Sequence, residues 1–306
     1  MRLVVGAPHG PGVALEVDDQ GPPAGMPLLL IMGLGMQLIA WPQPLVDQLV
    51  ARGFRVVRFD NRDAGLSQGF DELGVPNLPV AALRWLLRLP VRAPYTIADM
   101  AGDALGVLDA LGIRRAHVCG ASMGGMIGQH LAARHADRVA SLTLMMTTSG
   151  SRRLPQPAAH VRRMLLSRPD GHDRAAVIAH LERLFHLIGS PGYRPDPQAF
   201  RSRLEASVGR AWRPAGTARQ LVAVAADGDR TPMLRHITAP TAIIHGRADP
   251  LVPPACGEDL AHHIAGATID LVPGMGHDLP IELLPRFADT IAAVARRAGG
   301  AIEGRT

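Results

Sequence analysis

The chain has 306 residues and a formal net charge of +5, and all 32 of its basic residues are arginine. Hydrophobic residues make up 47% of the sequence, enough for a large core, which excludes a disordered or fibrous protein. Because the arginines are scattered and not gathered into a stripe, and because no apolar stretch reaches the roughly 18 residues that span a bilayer, we expect neither a nucleic-acid partner nor a membrane partner.

The N-terminus lacks a basic region followed by an apolar run and a small-residue cleavage site, so we expect a cytoplasmic protein.

The first part of the chain predicts strands and a helix. Alternating residues 13–17 predict a strand that forms a hairpin with residues 2–5. Residues 27–33 are continuously apolar, which is typical of a strand buried on both faces. A helix near 43–52 and a strand over 55–60 follow.

The middle of the chain continues this alternation of helices and strands. Thr96 and Asp99 have the spacing of a capping box, and apolar residues at helical spacing follow them. A strand is then predicted over 116–121, a helix over 123–135 and a strand over 141–146.

The two cysteines of the chain are too few for a disulfide framework or a zinc site.

Residues 148–235 contain no convincing strand and show helical patterns instead. Strands are predicted again over 241–246 and 268–273, followed by a helix near 281–297. A helical insertion between two strands of a parallel sheet predicts a cap over the carboxyl edge of the sheet, where open α/β sheets bind ligands. We therefore divide the chain into the first part of an α/β core (1–147), a helical cap segment (148–235) and the second part of the core with a C-terminal tail (236–306).

A serine surrounded by glycines stands between a predicted strand and a predicted helix. The sequence from Gly120 to Gly124 reads GASMG, which fits the G-x-S-x-G pattern of a nucleophile elbow with Ser122 at its apex. In such a turn the serine backbone is strained, and the residues two before and two after it approach each other too closely for side chains. The alternative is a glycine-rich connection that happens to contain a serine.

A serine hydroxyl needs a base to become a nucleophile, and that base needs an acid to orient it. Asp249 and His277 each lie just past the end of a predicted strand, so both reach the sheet edge that carries Ser122. Alone, an aspartate before proline is usually a turn residue, and a histidine in a glycine loop usually has no special role. Because the three occur in the order of the elbow enzymes, we predict that Ser122, Asp249 and His277 are the catalytic residues.

Acyl transfer also requires two backbone N–H groups that stabilise an oxyanion. One is expected from Met123, directly after the nucleophile, and the other from Leu34, in the loop after the apolar strand at 27–33. The glycines around Leu34 are also compatible with simple turn chemistry. A dinucleotide-binding loop is disfavoured because Leu38 stands where the third glycine of G-x-G-x-x-G belongs.

The same loop supplies the predicted substrate pocket. We expect Gly35, Met36 and Trp41 to line an apolar pocket for the acyl group. Methionine and tryptophan at such positions are core residues as often as pocket residues, so that alternative stays open.

Five motifs follow one another along the chain: MGLG (32–35), FDNRDAGLS (59–67), GASMGG (120–125), HGRADPLVP (245–253) and PGMGHDLP (273–280). Together and in this order they resemble the α/β-hydrolase superfamily, over about residues 13–148 and 236–297. Two of them, FDNRDAGLS and PGMGHDLP, resemble the aclacinomycin methylesterase-like group of serine esterases. The resemblance implies an α/β-hydrolase fold with an eight-stranded sheet, carboxylic ester hydrolysis by Ser122, Asp249 and His277, and no cofactor or metal. Met32 departs from many relatives, which carry histidine there.

The FDNRDAGLS motif is expected to brace the loops beneath the site. We interpret Asp60, Arg62 and Ser67 as structural residues and expect Arg62 to pair with Asp60, while residues 63–65 form a turn. The alternative is a direct functional role for these side chains.

The predicted function is hydrolysis of a small-molecule ester through an acyl-enzyme. Lactone opening, C–C bond hydrolysis, perhydrolysis and acyl transfer use the same three residues and stay open, as does a homo-oligomer. Haloalkane dehalogenase and epoxide hydrolase activities are disfavoured, because those relatives carry aspartate in place of Ser122. A non-catalytic protein that only binds a small molecule is the alternative from another class.

Overall fold

A computed structural model describes residues 1–7, 10–171 and 173–303, and within them eight strands form one sheet. The strands are β1 (Arg2–Ala7), β2 (Gly10–Gln20), β3 (Met26–Ile31), β4 (Phe54–Phe59), β5 (Ala116–Ala121), β6 (Val139–Met145), β7 (Thr241–Gly246) and β8 (Thr268–Val272). Their spatial order is β1-β2-β4-β3-β5-β6-β7-β8. The pairs β1–β2 and β2–β4 are antiparallel, and all other neighbours are parallel. The predicted mostly parallel, eight-stranded sheet is therefore confirmed.

Eleven helices lie in the described part of the chain. They are α1 (Gln43–Ala51), α2 (Leu78–Leu86), α3 (Ile97–Ala110), α4 (Met123–Arg134), α5 (Ala159–Leu165), α6 (Arg174–Ile188), α7 (Pro197–Arg210), α8 (Pro214–Asp227), α9 (Thr231–Leu234), α10 (Ala255–His263) and α11 (Leu284–Glu303). None of these helices is long and apolar enough to cross a membrane.

The central strand β3 is buried on both faces, as its continuous apolar sequence predicts. Successive side chains of a strand point to opposite faces. Leu29 and Ile31 pack in one core cluster with apolar residues of α3 and α4. Leu28 and Leu30 pack in a second cluster with residues of α1 and α11. Helices therefore cover both faces, and the sheet edge where the parallel strands end is left to the loops.

Most predicted elements agree with the structure to within a few residues. Helix α3 begins with the predicted capping box, in which the Thr96 hydroxyl accepts from the Asp99 amide and Asp99 accepts from the Thr96 amide. Helix α2 was not predicted. Although Asn77 caps α2 through the Val80 amide, its apolar residues Val80, Leu83 and Leu86 are exposed, so they do not mark one buried face.

All regular secondary structure that is described between β6 and β7 is helical. It carries α5 to α9, and it leaves the sheet after Met145 and returns at Thr241. Because β6 is parallel to both of its neighbours and ends at Met145, the segment that carries these helices begins at the carboxyl edge of the sheet. The exact division at 147/148 and 235/236 stays a prediction. Residues 304–306 of the predicted C-terminal tail lie outside the described part.

His117 on β5 makes the stability of the fold depend on pH. Burial, together with the nearby charge of Arg115, lowers the pKa of His117 to about 4. Its Nδ1 lies 2.8 Å from the Ser141 hydroxyl. Since the unfolded chain protonates this ring near pH 6.5, the contribution is complete above that pH and is lost as the pH falls toward 4.

We expect the wild-type protein to lose about 2 kcal/mol more unfolding free energy between pH 7 and pH 5 than the variant His117→Gln loses. Urea unfolding of both proteins at the two pH values measures this difference. Equal losses would show that His117 does not carry the pH dependence.

Candidate active site

Ser122 occupies a sharp turn between β5 and α4. Its backbone has φ 53° and ψ −118°, in a region that residues other than glycine rarely adopt. The turn is anchored to the sheet, because the Ser122 amide donates to the Met145 carbonyl at 2.9 Å. The Thr147 hydroxyl donates to the Ser122 carbonyl at 2.7 Å. A strained turn of this kind between a strand and a helix is what a nucleophile elbow requires.

The glycines of the motif are required by close backbone contacts. A Cβ atom at Gly120 would overlap the Gly124 carbonyl, and one at Gly124 would overlap the Ile31 carbonyl. The predicted close approach of the two flanking glycines therefore explains Gly120, whereas Gly124 is required by its contact with the end of β3.

His277 lies within hydrogen-bonding distance of both other predicted residues. Its Nε2 is 3.0 Å from the Ser122 Oγ, and its Nδ1 is 2.7 Å from the Asp249 Oδ2. The backbone of His277 is held in place because its amide donates to the Ile188 carbonyl at the end of α6, at 2.7 Å. The structure thus brings together Ser122, His277 and Asp249, which are far apart in the chain.

Asp249 is fully buried and its two oxygens have separate partners. Oδ1 accepts from the amides of Leu251 and Val252 at 2.9 and 2.8 Å, which leaves Oδ2 for His277. The neighbouring His245 lies 3.7 Å from Oδ2, but its Nε2 is 2.8 Å from the Val252 carbonyl. Burial lowers the pKa of His245, so this ring is neutral and does not compete for Asp249 as a cation.

This geometry permits proton transfer between serine and histidine. When His277 donates its Nδ1–H to Asp249, the lone pair of Nε2 points to the Ser122 hydroxyl. A buried carboxylate in this position is suited to stabilise an imidazolium on a histidine that takes up a proton.

The loop after β3 lies directly beside Ser122. A Cβ atom at Gly33 would be 3.1 Å from the Ser122 Cβ. The Met36 amide donates to the Gly33 carbonyl at 3.1 Å and closes a turn over residues 33–36. Neither the Leu34 amide nor the Met123 amide donates to an acceptor among the described residues. Both predicted oxyanion donors are therefore available to a ligand.

The predicted pocket residues differ in their surroundings. Met36 is half-buried at the margin of the core, and the Gly35 amide donates to Gln220, a residue of α8. Trp41 has no exposed surface and packs in the core with Leu45 and Leu49 of α1. The structure therefore corrects the prediction that Trp41 lines the pocket. Trp41 is a core residue, because the chain before α1 places its side chain against that helix.

The expected pair between Arg62 and Asp60 is wrong. Arg62 makes a bidentate ion pair with Asp103 of α3, at 2.6 and 2.7 Å. Asp60 instead accepts from Arg210 of α7 at 2.7 Å and from the Leu38 amide at 2.6 Å. Each side chain faces a different helix, so two residues that are close in sequence take partners from distant segments. Both contacts, and the bond from the Ser67 hydroxyl to the Asp60 carbonyl, brace loops as expected.

Sequence reasoning missed three polar residues that contact the loops of the site. Gln220 binds the loop of Leu34, and the Gln37 side-chain amide of the same loop donates to the carbonyl of Ser207 at 2.8 Å. Ser190, after α6, accepts from the Gly276 amide at 2.8 Å, next to His277. No motif or periodicity marks these residues.

Among the described residues, no group of three or more His, Cys, Asp or Glu side chains is arranged to hold a metal.

Comparisons with known proteins agree with this architecture. A family profile described as the alpha/beta hydrolase fold matches residues 26–282. The chain is 32% identical to a rhodomycin D methylesterase, DauP, of Streptomyces sp. (strain C5), over 94% of this chain and 96% of the relative. It is 28% identical to a 2-hydroxymuconate semialdehyde hydrolase of Pseudomonas sp. (strain CF600), over 92% and 89%. The crystal structure of an enol-lactonase from Burkholderia xenovorans LB400 is similar with a TM-score of 0.69, 28% identity and coverage of 92% and 96%.

Proposed function

The chain belongs to the alpha/beta hydrolase fold family, and from this premise we propose that it hydrolyses carboxylic esters with Ser122 as nucleophile, His277 as base and Asp249 as orienting acid. The methylesterase relatives support carboxylic ester hydrolase activity. The observation that carries the proposal is the continuous hydrogen-bonded series from the Ser122 Oγ through His277 to the buried Asp249, at 3.0 and 2.7 Å.

In the first half of the reaction the ester acylates the enzyme. The Ser122 Oγ attacks the ester carbonyl carbon while the His277 Nε2 takes the hydroxyl proton. The carbonyl oxygen becomes an oxyanion and accepts hydrogen bonds from the amides of Leu34 and Met123. When this intermediate collapses, the C–O bond to the leaving group breaks, and His277 gives its proton to the departing alcohol.

In the second half water releases the acid. His277 takes a proton from a water molecule, whose oxygen attacks the acyl carbon of the acyl-enzyme. The same two amides stabilise the second oxyanion. Its collapse breaks the bond to the Ser122 Oγ, which recovers its proton from His277, and the products are a carboxylic acid and an alcohol. Asp249 orients the imidazole and stabilises the imidazolium.

We propose a small-molecule ester as the substrate, with a methyl ester as the first choice. Support comes from two methylesterase relatives that are 32% and 31% identical over 94% of this chain. A lactone is the second candidate, because a 3-oxoadipate enol-lactonase of Acinetobacter baylyi is 27% identical over 93% of this chain. Lactone opening is the same acyl transfer with the leaving alcohol still attached to the acyl group.

Labelling with a fluorophosphonate tests the proposal directly. We expect one adduct per molecule, and we expect peptide mass spectrometry to place it on Ser122, because only an activated serine attacks the phosphorus quickly. Heat-denatured protein is the control and should not react. An adduct on another serine, or no adduct, would contradict the proposed nucleophile.

A substrate panel then separates the candidate reactions. We expect turnover of carboxylic methyl esters, with release of one acid and one methanol per ester. The panel should include enol-lactones and a C–C hydrolase substrate, each assayed by product analysis. Turnover of lactones alone would replace the first candidate by the second.

A further inference from the structure

The loop that carries the Leu34 amide is hydrogen-bonded to the cap segment through one buried side chain. Gln220 of α8 has no exposed surface. Its Oε1 accepts from the Gly35 amide at 2.7 Å, and its Nε2 donates to the Arg62 carbonyl at 2.7 Å. Both ends of the side-chain amide are therefore used, and its orientation is determined by its partners.

Helix α8 also packs closely against this loop. Gly35 has φ +66°, and a Cβ atom there would lie 2.7 Å from the hydroxyl oxygen of Thr217, which is almost one turn before Gln220 on α8. Only glycine suits this backbone conformation and this close approach. The contact with Gln220 is thus part of a tight interface and not an isolated bond.

Two successive peptide groups around Leu34 are each held by a hydrogen bond. The Met36 amide binds the Gly33 carbonyl, which shares a peptide plane with the Leu34 N–H. Gln220 binds the Gly35 N–H, which belongs to the next peptide plane. Because each bond holds one plane, together they determine the direction of the free Leu34 N–H beside Ser122.

We propose that Gln220 is a positioning residue of the oxyanion hole, which acts through the Gly35 amide to aim the Leu34 N–H at the developing oxyanion. This proposal rests on the proposed function. A donor stabilises a transition state most when it is already oriented before the reaction. Gln220 also occupies the Gly35 N–H, so that this amide does not compete for the carbonyl oxygen of the substrate.

A role in orienting the oxyanion donor affects the transition state more than the bound substrate. We expect Gln220→Met, which keeps the length of the side chain and lacks both hydrogen-bonding groups, to lower kcat by about 10- to 100-fold. We expect its KM to change by less than about threefold, because the ester carbonyl becomes an oxyanion only during reaction.

Two further variants separate positioning from general damage to the fold. Gln220→Glu offers the same acceptor to the Gly35 amide, and in its protonated form, which burial favours, its second oxygen donates to the Arg62 carbonyl as Nε2 does, so we expect its kcat to stay within about fivefold of the wild-type value. Gln198→Met is the matched control, since Gln198 is exposed on α7, and its kcat and KM should equal those of the wild type. Steady-state kinetics on one ester and thermal unfolding are measured for every variant.

A transition-state analogue gives a second measurement. We expect the affinity of Gln220→Met for a trifluoromethyl ketone, which forms a tetrahedral adduct with the serine, to fall in parallel with kcat/KM. The affinity for the corresponding non-fluorinated ketone should change little. Should Gln220→Met not fold, Gln220→Asn takes its place, because the shorter side chain withdraws the acceptor from Gly35 and remains polar.

The inference and the proposed function fail in different ways. Wild-type kcat in the Met or Asn variant, equal changes in kcat and KM, or a Glu variant as slow as the Met variant would overturn the role of Gln220. Ester turnover and labelling of Ser122 in the wild-type protein would stand in each of these cases. If the wild-type protein neither hydrolyses esters nor reacts with the fluorophosphonate, the proposed function itself is wrong.

Discussion

Replacing Ser122 with alanine is expected to lower kcat for p-nitrophenyl esters by about 10⁴-fold or more, with little change in the melting temperature. The variant loses the oxygen that His277 would deprotonate at a distance of 3.0 Å. It keeps the Cβ atom, so the strained backbone at φ 53° and its contacts with the sheet are unchanged. The remaining rate reflects the oxyanion donors and substrate binding alone.

A second serine serves as the control for this experiment. Ser167 is exposed in the cap segment, where its hydroxyl donates to the Met164 carbonyl. Ser167→Ala should keep the wild-type kcat. Continuous release of p-nitrophenol measures all three proteins, and a Ser122→Ala variant that keeps most of the wild-type rate would rule out the proposed nucleophile.

Replacing Arg219 with methionine is expected to lower the unfolding free energy by about 3–5 kcal/mol, because it leaves a buried carboxylate without its partner. Arg219 of α8 and Asp63 are both buried and form a bidentate pair at 2.7 and 2.8 Å. Burial opposes ionisation of Asp63, but hydrogen bonds from Arg219, the Phe70 amide and the Tyr95 hydroxyl outweigh it and lower the pKa of Asp63.

Urea unfolding at pH 7 measures this loss against two comparison proteins. Arg183→Met removes an exposed pair with Asp170 and should cost at most about 1 kcal/mol. Asp63→Asn combined with Arg219→Met removes both buried charges, and the double variant should be more stable than Arg219→Met alone. Asparagine suits position 63, which has φ 67°. A cost for Arg219→Met no larger than that for Arg183→Met would contradict the expected penalty.

The elbow could be predicted from the sequence because its strand–serine–helix order and the close approach of Gly120 to Gly124 are local, although the contact of Gly124 with Ile31 depends on a neighbouring strand. Ser122 follows a buried strand and precedes a helix, and Gly120 and Gly124 are placed where side chains would overlap carbonyl oxygens. The meeting of Asp249 and His277 with Ser122 could also be predicted. Each follows its own strand, and parallel strands end at the same edge of a sheet.

The environment of single side chains was harder to predict. The pocket assignment of Trp41 depended on which way the chain turns after residues 33–36, and in the structure Trp41 lies in the core. Helix α2 was missed because its apolar residues do not lie on one buried face, although Asn77 and Pro79 are typical of a helix start.

The sequence by itself determined the fold class, the order of the elements and the places of Ser122, Asp249 and His277, since these depend on periodicity, glycine sterics and strand ends. Only the tertiary structure decided the partners of the polar side chains around them. Arg62 binds Asp103 at a separation of 41 residues, Asp60 binds Arg210 at 150, and Gln220 binds Gly35 at 185. Such pairs leave no local pattern, because they form only where the packing of whole helices against the sheet brings two distant segments into contact.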